Sequence, residues 1–174
     1  ESPTLSADER RRLVEIVVGE ADGRVPVLAG AGGYNTREVI DSAREMERAG
    51  AQGLLSVTPY YNKPTPDGLL QHYRAIAEST SLPIILYNVP GRTGCNIDVS
   101  TLTKLAAVPN IVGVKEASGN MQQMCEICAA VPPEFIVLSG DDAMTLPLMA
   151  IGGRGVISVA SNEVPGDMSR MVEA

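Results

Sequence analysis

Three side chains in this sequence have types and spacing suited to carbonyl chemistry. Lys115 closes the apolar run Ile111-Val112-Gly113-Val114-Lys115. A charged lysine at the end of such a run is costly, and desolvation lowers its pKa. The neutral amine that results can attack a carbonyl carbon and form an imine. Tyr87 closes the preceding apolar run, Pro83 to Tyr87. Its hydroxyl, placed beside an amine, can relay protons while an imine forms and hydrolyses. Arg92 follows within Pro90-Gly91-Arg92-Thr93-Gly94, and a guanidinium on a glycine-flanked loop suits a carboxylate. Tyr60 and Tyr61, after an earlier run, carry the same potential as Tyr87. The structural alternatives are a strand-end lysine paired with Glu116, packed tyrosines and a surface arginine salt bridge.

Other chemistries have weaker support. Gly30-Ala31-Gly32-Gly33 follows a strand-like run, but it lacks the third spaced glycine of a dinucleotide fingerprint and the Lys-Ser/Thr of a P-loop. Tight turns account for these glycines. The single histidine, His72, cannot build a multi-histidine zinc site; it is expected at a helix surface or core edge. Cys125-Glu126-Ile127-Cys128 has the CxxC form but no second pair, and it falls in a helical stretch. Asp141-Asp142 reads as a helix cap ahead of a cation site.

These residues need elements that hold them together. Six short apolar runs read as strands buried on both faces: Val25 to Ala29, Gly53 to Val57, Pro83 to Tyr87, Ile111 to Lys115, Phe135 to Ser139 and Gly155 to Val159. Helical signals fill the gaps. Ser6-Ala7-Asp8-Glu9 is a capping box. Thr36 can cap a helix over Arg37 to Ala49, with Gly50 at its exit. Further helices are expected from Pro66-Asp67 to Ser79, from Asp98 or Ser100, from Asn120, from Asp141 or Asp142 up to Gly152-Gly153, and from Pro165. Strand–helix alternation implies a parallel α/β sheet. The polar residues follow the C-terminal ends of five strands: Thr58 to Tyr61, Tyr87-Asn88, Lys115-Glu116, Ser139 to Asp141, and Ser161-Asn162. They converge best if the sheet curves into a (β/α)₈ TIM barrel, whereas a doubly wound sheet focuses its ligand at one switch point.

Composition narrows the partners. The chain has 174 residues with a net charge of −7 and a pI near 4.7, so no nucleic-acid partner is expected. No apolar run approaches the ~20 residues of a membrane helix. Three cysteines without regular spacing suggest a reducing compartment, and a cytoplasmic location is expected.

Several motifs together carry a resemblance. Thr58-Pro59-Tyr60-Tyr61-Asn62-Lys63-Pro64, Tyr87-Asn88-Val89-Pro90-Gly91-Arg92-Thr93-Gly94, Gly113-Val114-Lys115-Glu116-Ala117-Ser118, Ser139-Gly140-Asp141-Asp142 and Gly155-Val156-Ile157-Ser158-Val159 occur in this order. The chain closely resembles the dihydrodipicolinate synthase / N-acetylneuraminate lyase family over essentially its whole length. The resemblance implies a TIM-barrel lyase of class I aldolase type in lysine and diaminopimelate biosynthesis. Lys115 would form a Schiff base with pyruvate, and the resulting enamine would condense with L-aspartate 4-semialdehyde to give 4-hydroxy-tetrahydrodipicolinate. Tyr87 would be the central proton donor and acceptor. Tyr61 would extend the relay from a neighbouring subunit of a tight dimer, within a dimer of dimers. Arg92 would hold the semialdehyde carboxylate, and Gly140 and the Ile157 carbonyl would line the pyruvate pocket. No metal and no organic cofactor is implied beyond the covalent imine.

The Gly91-Arg92-Thr93-Gly94 loop matches the synthase branch of the family. The alternative activity is another pyruvate-dependent aldolase, acting on 2-keto-3-deoxy sugar acids or sialic acid. An inactive fragment is an alternative of a different kind. The resemblance places a Gly-Thr-Thr-Gly segment just before the residue matching Glu1. Residues 1–174 are therefore expected to be one partial catalytic barrel domain, about strands 3 to 8, truncated at both ends and unstable or inactive alone. In lysine-sensitive relatives the effector pocket uses positions matching Ser2, Ala7, Arg10, Tyr34, Glu38 and Tyr60. Arg10 would oppose a cationic effector there, so weak lysine inhibition is expected.

Overall fold

The structure is a computed structural model that describes residues 2–174. Five parallel strands form one sheet in the order β1-β2-β3-β4-β5. They are β1 (Leu28–Gly30), β2 (Gly53–Val57), β3 (Ile84–Asn88), β4 (Ile111–Glu116) and β5 (Ile136–Ser139). Each strand lies beside the one that precedes it in sequence. That sequential order has no reversal, so the sheet winds in one direction, as a barrel wall does and a doubly wound sheet does not.

The sixth expected strand is only partly formed. Val156 makes an isolated parallel bridge to Ser139. Ladder bonds run from Arg154 N to Val137 O at 2.8 Å, from Ser139 N to Gly155 O at 2.8 Å and from Ile157 N to Ser139 O at 2.9 Å. The Asp142 carboxylate then accepts from the amides of Val159 and Ala160. The chain turns at Ala160–Asn162 instead of extending. The first strand is also shorter than its apolar run and begins after Pro26, which has no N–H for the ladder.

The helices follow their caps. Helix α1 (Ala7–Ala21) opens on the capping box, in which Glu9 N donates to Ser6 Oγ and Ser6 N donates to Glu9 Oε2. Helix α2 spans Thr36–Arg48, and its cap is Asn35, one residue before the expected Thr36. The Asn35 side chain accepts from Arg37 N, while the Thr36 hydroxyl pairs with His72 Nδ1 at 2.8 Å. Helix α3 spans Pro66–Ala77 and is capped by Thr65. A one-turn helix, α4 (Pro90–Thr93), forms where the sequence reads as a loop. Helices α5 (Val99–Leu105), α6 (Met121–Ala130), α7 (Thr145–Ala150) and α8 (Pro165–Glu173) complete the layer.

The core lies between the sheet and this helical layer. Ala29, Leu54, Ile84, Leu86, Val114 and Val137 point toward the helices, each at most 2 % exposed. They meet Val39, Ala43, Met46, Leu69, Tyr73, Ile76, Leu102, Leu105, Met124 and Ile127 in one cluster. Burial of each aliphatic side chain contributes roughly 1.5–3 kcal/mol. His72 belongs to this layer and is only 6 % exposed, so it is a core residue. Helices α1 and α8 differ from the rest: neither has a buried residue, and on α1 Leu13, Ile16 and Val17 are exposed. No helix among the described residues is long and apolar enough to cross a membrane.

Candidate active site

Side chains alternate along a strand. The residues offset by one from Leu86 and Val114 therefore face away from the helices, and these are Tyr87 and Lys115. The register pairs Val57 with Tyr87, Tyr87 with Lys115, and Lys115 with Leu138. Tyr87 and Lys115 are thus direct neighbours at the C-terminal ends of β3 and β4. Lys115 Nζ lies 4.2 Å from the Tyr87 ring centroid. Contact with a ring face favours an ammonium, whereas burial favours the neutral amine. Desolvation lowers the Lys115 pKa, the nearby Arg92 charge lowers it further, and Asp142 partly offsets both. A larger share of neutral amine is therefore present at a given pH than an ordinary lysine offers.

Gly140 makes room for that lysine. A Cβ on Gly140 would come within 2.7 Å of Ala117 Cβ and 3.0 Å of Lys115 Cε. The Gly140 amide is already engaged with Glu116 O at 2.8 Å. What this residue contributes to the Lys115 side chain is its missing side chain.

Arg92 sits on α4, directly after β3. Pro90 fits the first turn, and Gly94, at φ +65°, closes it in the left-handed conformation. Arg92 lines a cleft of about 480 Å³ together with Gly30, Leu55, Val57 and Tyr87. It makes no ion pair among the described residues. The surface salt bridge that would occupy it is therefore missing, and the guanidinium stands over the cleft beside Tyr87.

The expected site residues are only partly assembled. Lys115, Tyr87, Arg92 and Gly140 converge. Ile157 lies farther along, where its amide donates to Ser139 O. Tyr61 is 90 % exposed and does not line the cleft that Arg92 and Tyr87 share. Tyr60 packs edge-on against Tyr34, with ring centroids 5.2 Å apart. Asp141 caps the 3₁₀ turn Asp142–Met144, as its sequence position suggests. Among the described residues, no group of three or more His, Cys, Asp or Glu could hold a metal ion.

Glu116 does not pair with Lys115. Strand alternation sends it to the opposite face, where it is fully buried. There it accepts from Asn88 Nδ2 at 2.8 Å and from Ser118 N at 2.7 Å. Reading Lys115-Glu116 as an ion pair ignored the two-residue period of a strand. The same period, applied to Asn88 and Glu116, is the signal that could have joined these two polar residues.

The sequence model of the dihydrodipicolinate synthetase family matches residues 1–174. The chain is 54 % identical over 173 residues to 4-hydroxy-tetrahydrodipicolinate synthase 1 of Halalkalibacterium halodurans, covering 99 % of this chain and 59 % of that protein. Among solved structures, it superposes on dihydrodipicolinate synthase from Aquifex aeolicus with a TM-score of 0.97 at 45 % identity, covering 99 % of this chain and 59 % of that one. The chloride-inhibited enzyme from Acinetobacter baumannii, complexed with pyruvate, gives a TM-score of 0.97 at 44 % identity, with coverage of 99 % and 60 %. The chain thus spans about three fifths of the length of these relatives. Its five-stranded sheet is part of a TIM barrel.

Proposed function

The chain belongs to the dihydrodipicolinate synthetase family, and on that premise we propose that it supplies the imine-forming site of a 4-hydroxy-tetrahydrodipicolinate synthase. The observation that carries the proposal is the desolvated Lys115 amine held against Tyr87 at adjoining strand ends. The relatives at about half identity bear the synthase name, and one similar solved enzyme was complexed with pyruvate.

In this reading the neutral Lys115 amine adds to the ketone carbon of pyruvate. Loss of water leaves a protonated imine, which acts as an electron sink. A methyl proton then leaves to give an enamine, whose carbon attacks the aldehyde carbon of L-aspartate 4-semialdehyde. The aldehyde oxygen takes up a proton. The substrate's own amine displaces Lys115 and closes the ring, which frees the lysine. Tyr87, in contact with the amine, moves protons in the addition and dehydration steps. Arg92 holds the semialdehyde carboxylate, while Gly140 and Ile157 border the pyruvate. The imine is the only covalent group needed, and the reading calls for no metal or separate cofactor.

The exposed Tyr61 is assigned to a relay completed in a homo-oligomer, a tight dimer within a tetramer, in the cytoplasm. Arg10 also lines a pocket of about 200 Å³ with Tyr34, Glu38 and Tyr60. A cation at that position supports weak inhibition by lysine; strong inhibition at submillimolar lysine would contradict it.

Borohydride trapping with pyruvate on the full-length protein, followed by peptide mapping, tests the central assignment. An adduct on Lys115 is expected. An adduct elsewhere, with Lys115 unmodified, overturns it. Turnover of a keto-deoxy sugar acid without condensation of aspartate semialdehyde would move the protein to another branch of the family.

A further inference from the structure

We infer that Asn88 and Glu116 form a buried positioning pair that ties the Arg92 turn to the strand bearing Lys115. Both residues are fully buried and stand opposite each other in the β3–β4 register. A buried carboxylate without a cation is held by hydrogen bonds alone, and each of those bonds then carries weight. Glu116 has two: one from Asn88 and one from the Ser118 amide.

Asn88 extends the tie to the far end of the Arg92 loop. Its Oδ1 accepts from Ile97 N at 2.9 Å, and its Nδ2 also donates to Asn96 Oδ1 at 2.9 Å. Residues 89–97 thus leave β3 and return to the same asparagine. Asn96 in turn exchanges hydrogen bonds with Gln123 on α6 at 2.8 and 3.2 Å. Inside the loop, Thr93 Oγ1 accepts from Cys95 N, and its one proton has the carbonyls of Val89 and Cys95 as alternative acceptors. These bonds brace the loop internally, so its orientation depends on where Asn88 holds its ends. Asn88 itself is held by Glu116, whose neighbour in sequence is Lys115. The pair touches no reacting atom. Its role is to set the distance between the Arg92 guanidinium and the Lys115 amine.

This inference rests on the proposed roles of Lys115 and Arg92, and the test separates the two. Three variants of the full-length protein are compared: Asn88→Asp, Glu116→Gln and the double exchange. The first sets two carboxylates against each other, and the second removes the acceptor that Asn88 needs. The double exchange restores the contact with donor and acceptor reversed. Asn96 and Gln123 can follow by rotating their amides.

Each single variant should speed amide hydrogen exchange in residues 89–97 and raise the KM for aspartate semialdehyde on the order of tenfold. Pyruvate trapping on Lys115 should stay unchanged. The double exchange should restore both readouts. A merely structural pair would lower thermal stability while moving both substrates' KM values alike. Unchanged exchange in the single variants, equal changes for both substrates or no recovery in the double exchange overturns the inference. If the unaltered protein shows no adduct on Lys115, the proposed function fails, and the exchange measurement still decides whether the tie exists.

Discussion

Two successive rungs of the β3–β4 ladder face opposite sides of the sheet and meet opposite physical conditions. Tyr87 and Lys115 share one rung, and Asn88 and Glu116 share the next. The first rung faces away from the helices, where both side chains are half-buried and the lysine is close to a ring and to another cation. The second faces the helices, is fully buried, and has its polar atoms occupied by neighbours. One face therefore holds an underused amine, and the other holds a satisfied carboxylate. The same local sequence supplies reactivity on one side and rigidity on the other. The difference comes from what packs above each face.

The comparison can be tested most severely at Lys115. Lys115→Ala should abolish the pyruvate adduct and lower turnover by at least ~10³-fold, while urea unfolding changes little. Retained turnover with the adduct on another residue would remove the distinction between the faces. On the helix side the expected outcome reverses. Leu86 is fully buried, and Leu86→Ala should reduce stability by roughly 2–5 kcal/mol in urea unfolding. Well below its melting temperature, the variant should still label at Lys115.

Gly140→Ala sharpens the comparison at their border. The added methyl would lie 3.0 Å from Lys115 Cε, so imine formation should slow by about 10²-fold. Stopped-flow measurement of pyruvate binding would detect this, and an unchanged rate would show that the lysine yields without consequence.

Titration separates the faces by pH window. Burial lowers the His72 pKa from 6.5 to about 4. The unfolded chain binds more protons than the folded one between those values, so stability rises with pH across the window. Acidification to pH 5 should therefore remove roughly 2 kcal/mol of stability. Urea midpoints at pH 7 and pH 5 measure the loss, and His72→Phe should flatten it. For Lys115 the folded pKa also lies below its ordinary 10.5. Its contribution follows the same sign in a more alkaline window: stability rises as pH climbs through the folded pKa toward 10.5.

Much of this arrangement was legible in the residues. The apolar runs predict six strands because strands buried on both faces require continuous aliphatic sequence, and five of the six form the sheet. The Ser6–Glu9 box and a start at Asp98 or Ser100 predict helices because such side-chain oxygens can accept from the amides of the following turn, and Asp98 is the cap that forms. Lys115 and Tyr87 stand out because each closes an apolar run, and Arg92 because it follows the Tyr87 run on a glycine-flanked loop. Among the readings that the fold corrected, three bear on the site. The Gly155 to Val159 run stops pairing early, and Asp142 takes the Val159 amide that would continue the ladder. Pro90–Thr93 forms a helical turn where loop composition suggested none. Glu116 turns away from Lys115, since neighbouring residues in a strand cannot share a face.

By itself, the sequence determined the alternation of strands and helices, the family and the identity of the candidate nucleophile. These are encoded in local periodicity and in motifs that persist along the chain. Only the tertiary structure decided that Gly140 serves the Lys115 side chain through its missing Cβ, that Asn88 closes the Arg92 loop, and that Lys115 lies over Tyr87. Each of these depends on residues 8 to 28 positions apart. Contacts of that span arise from strand register and packing, which no short stretch of sequence specifies.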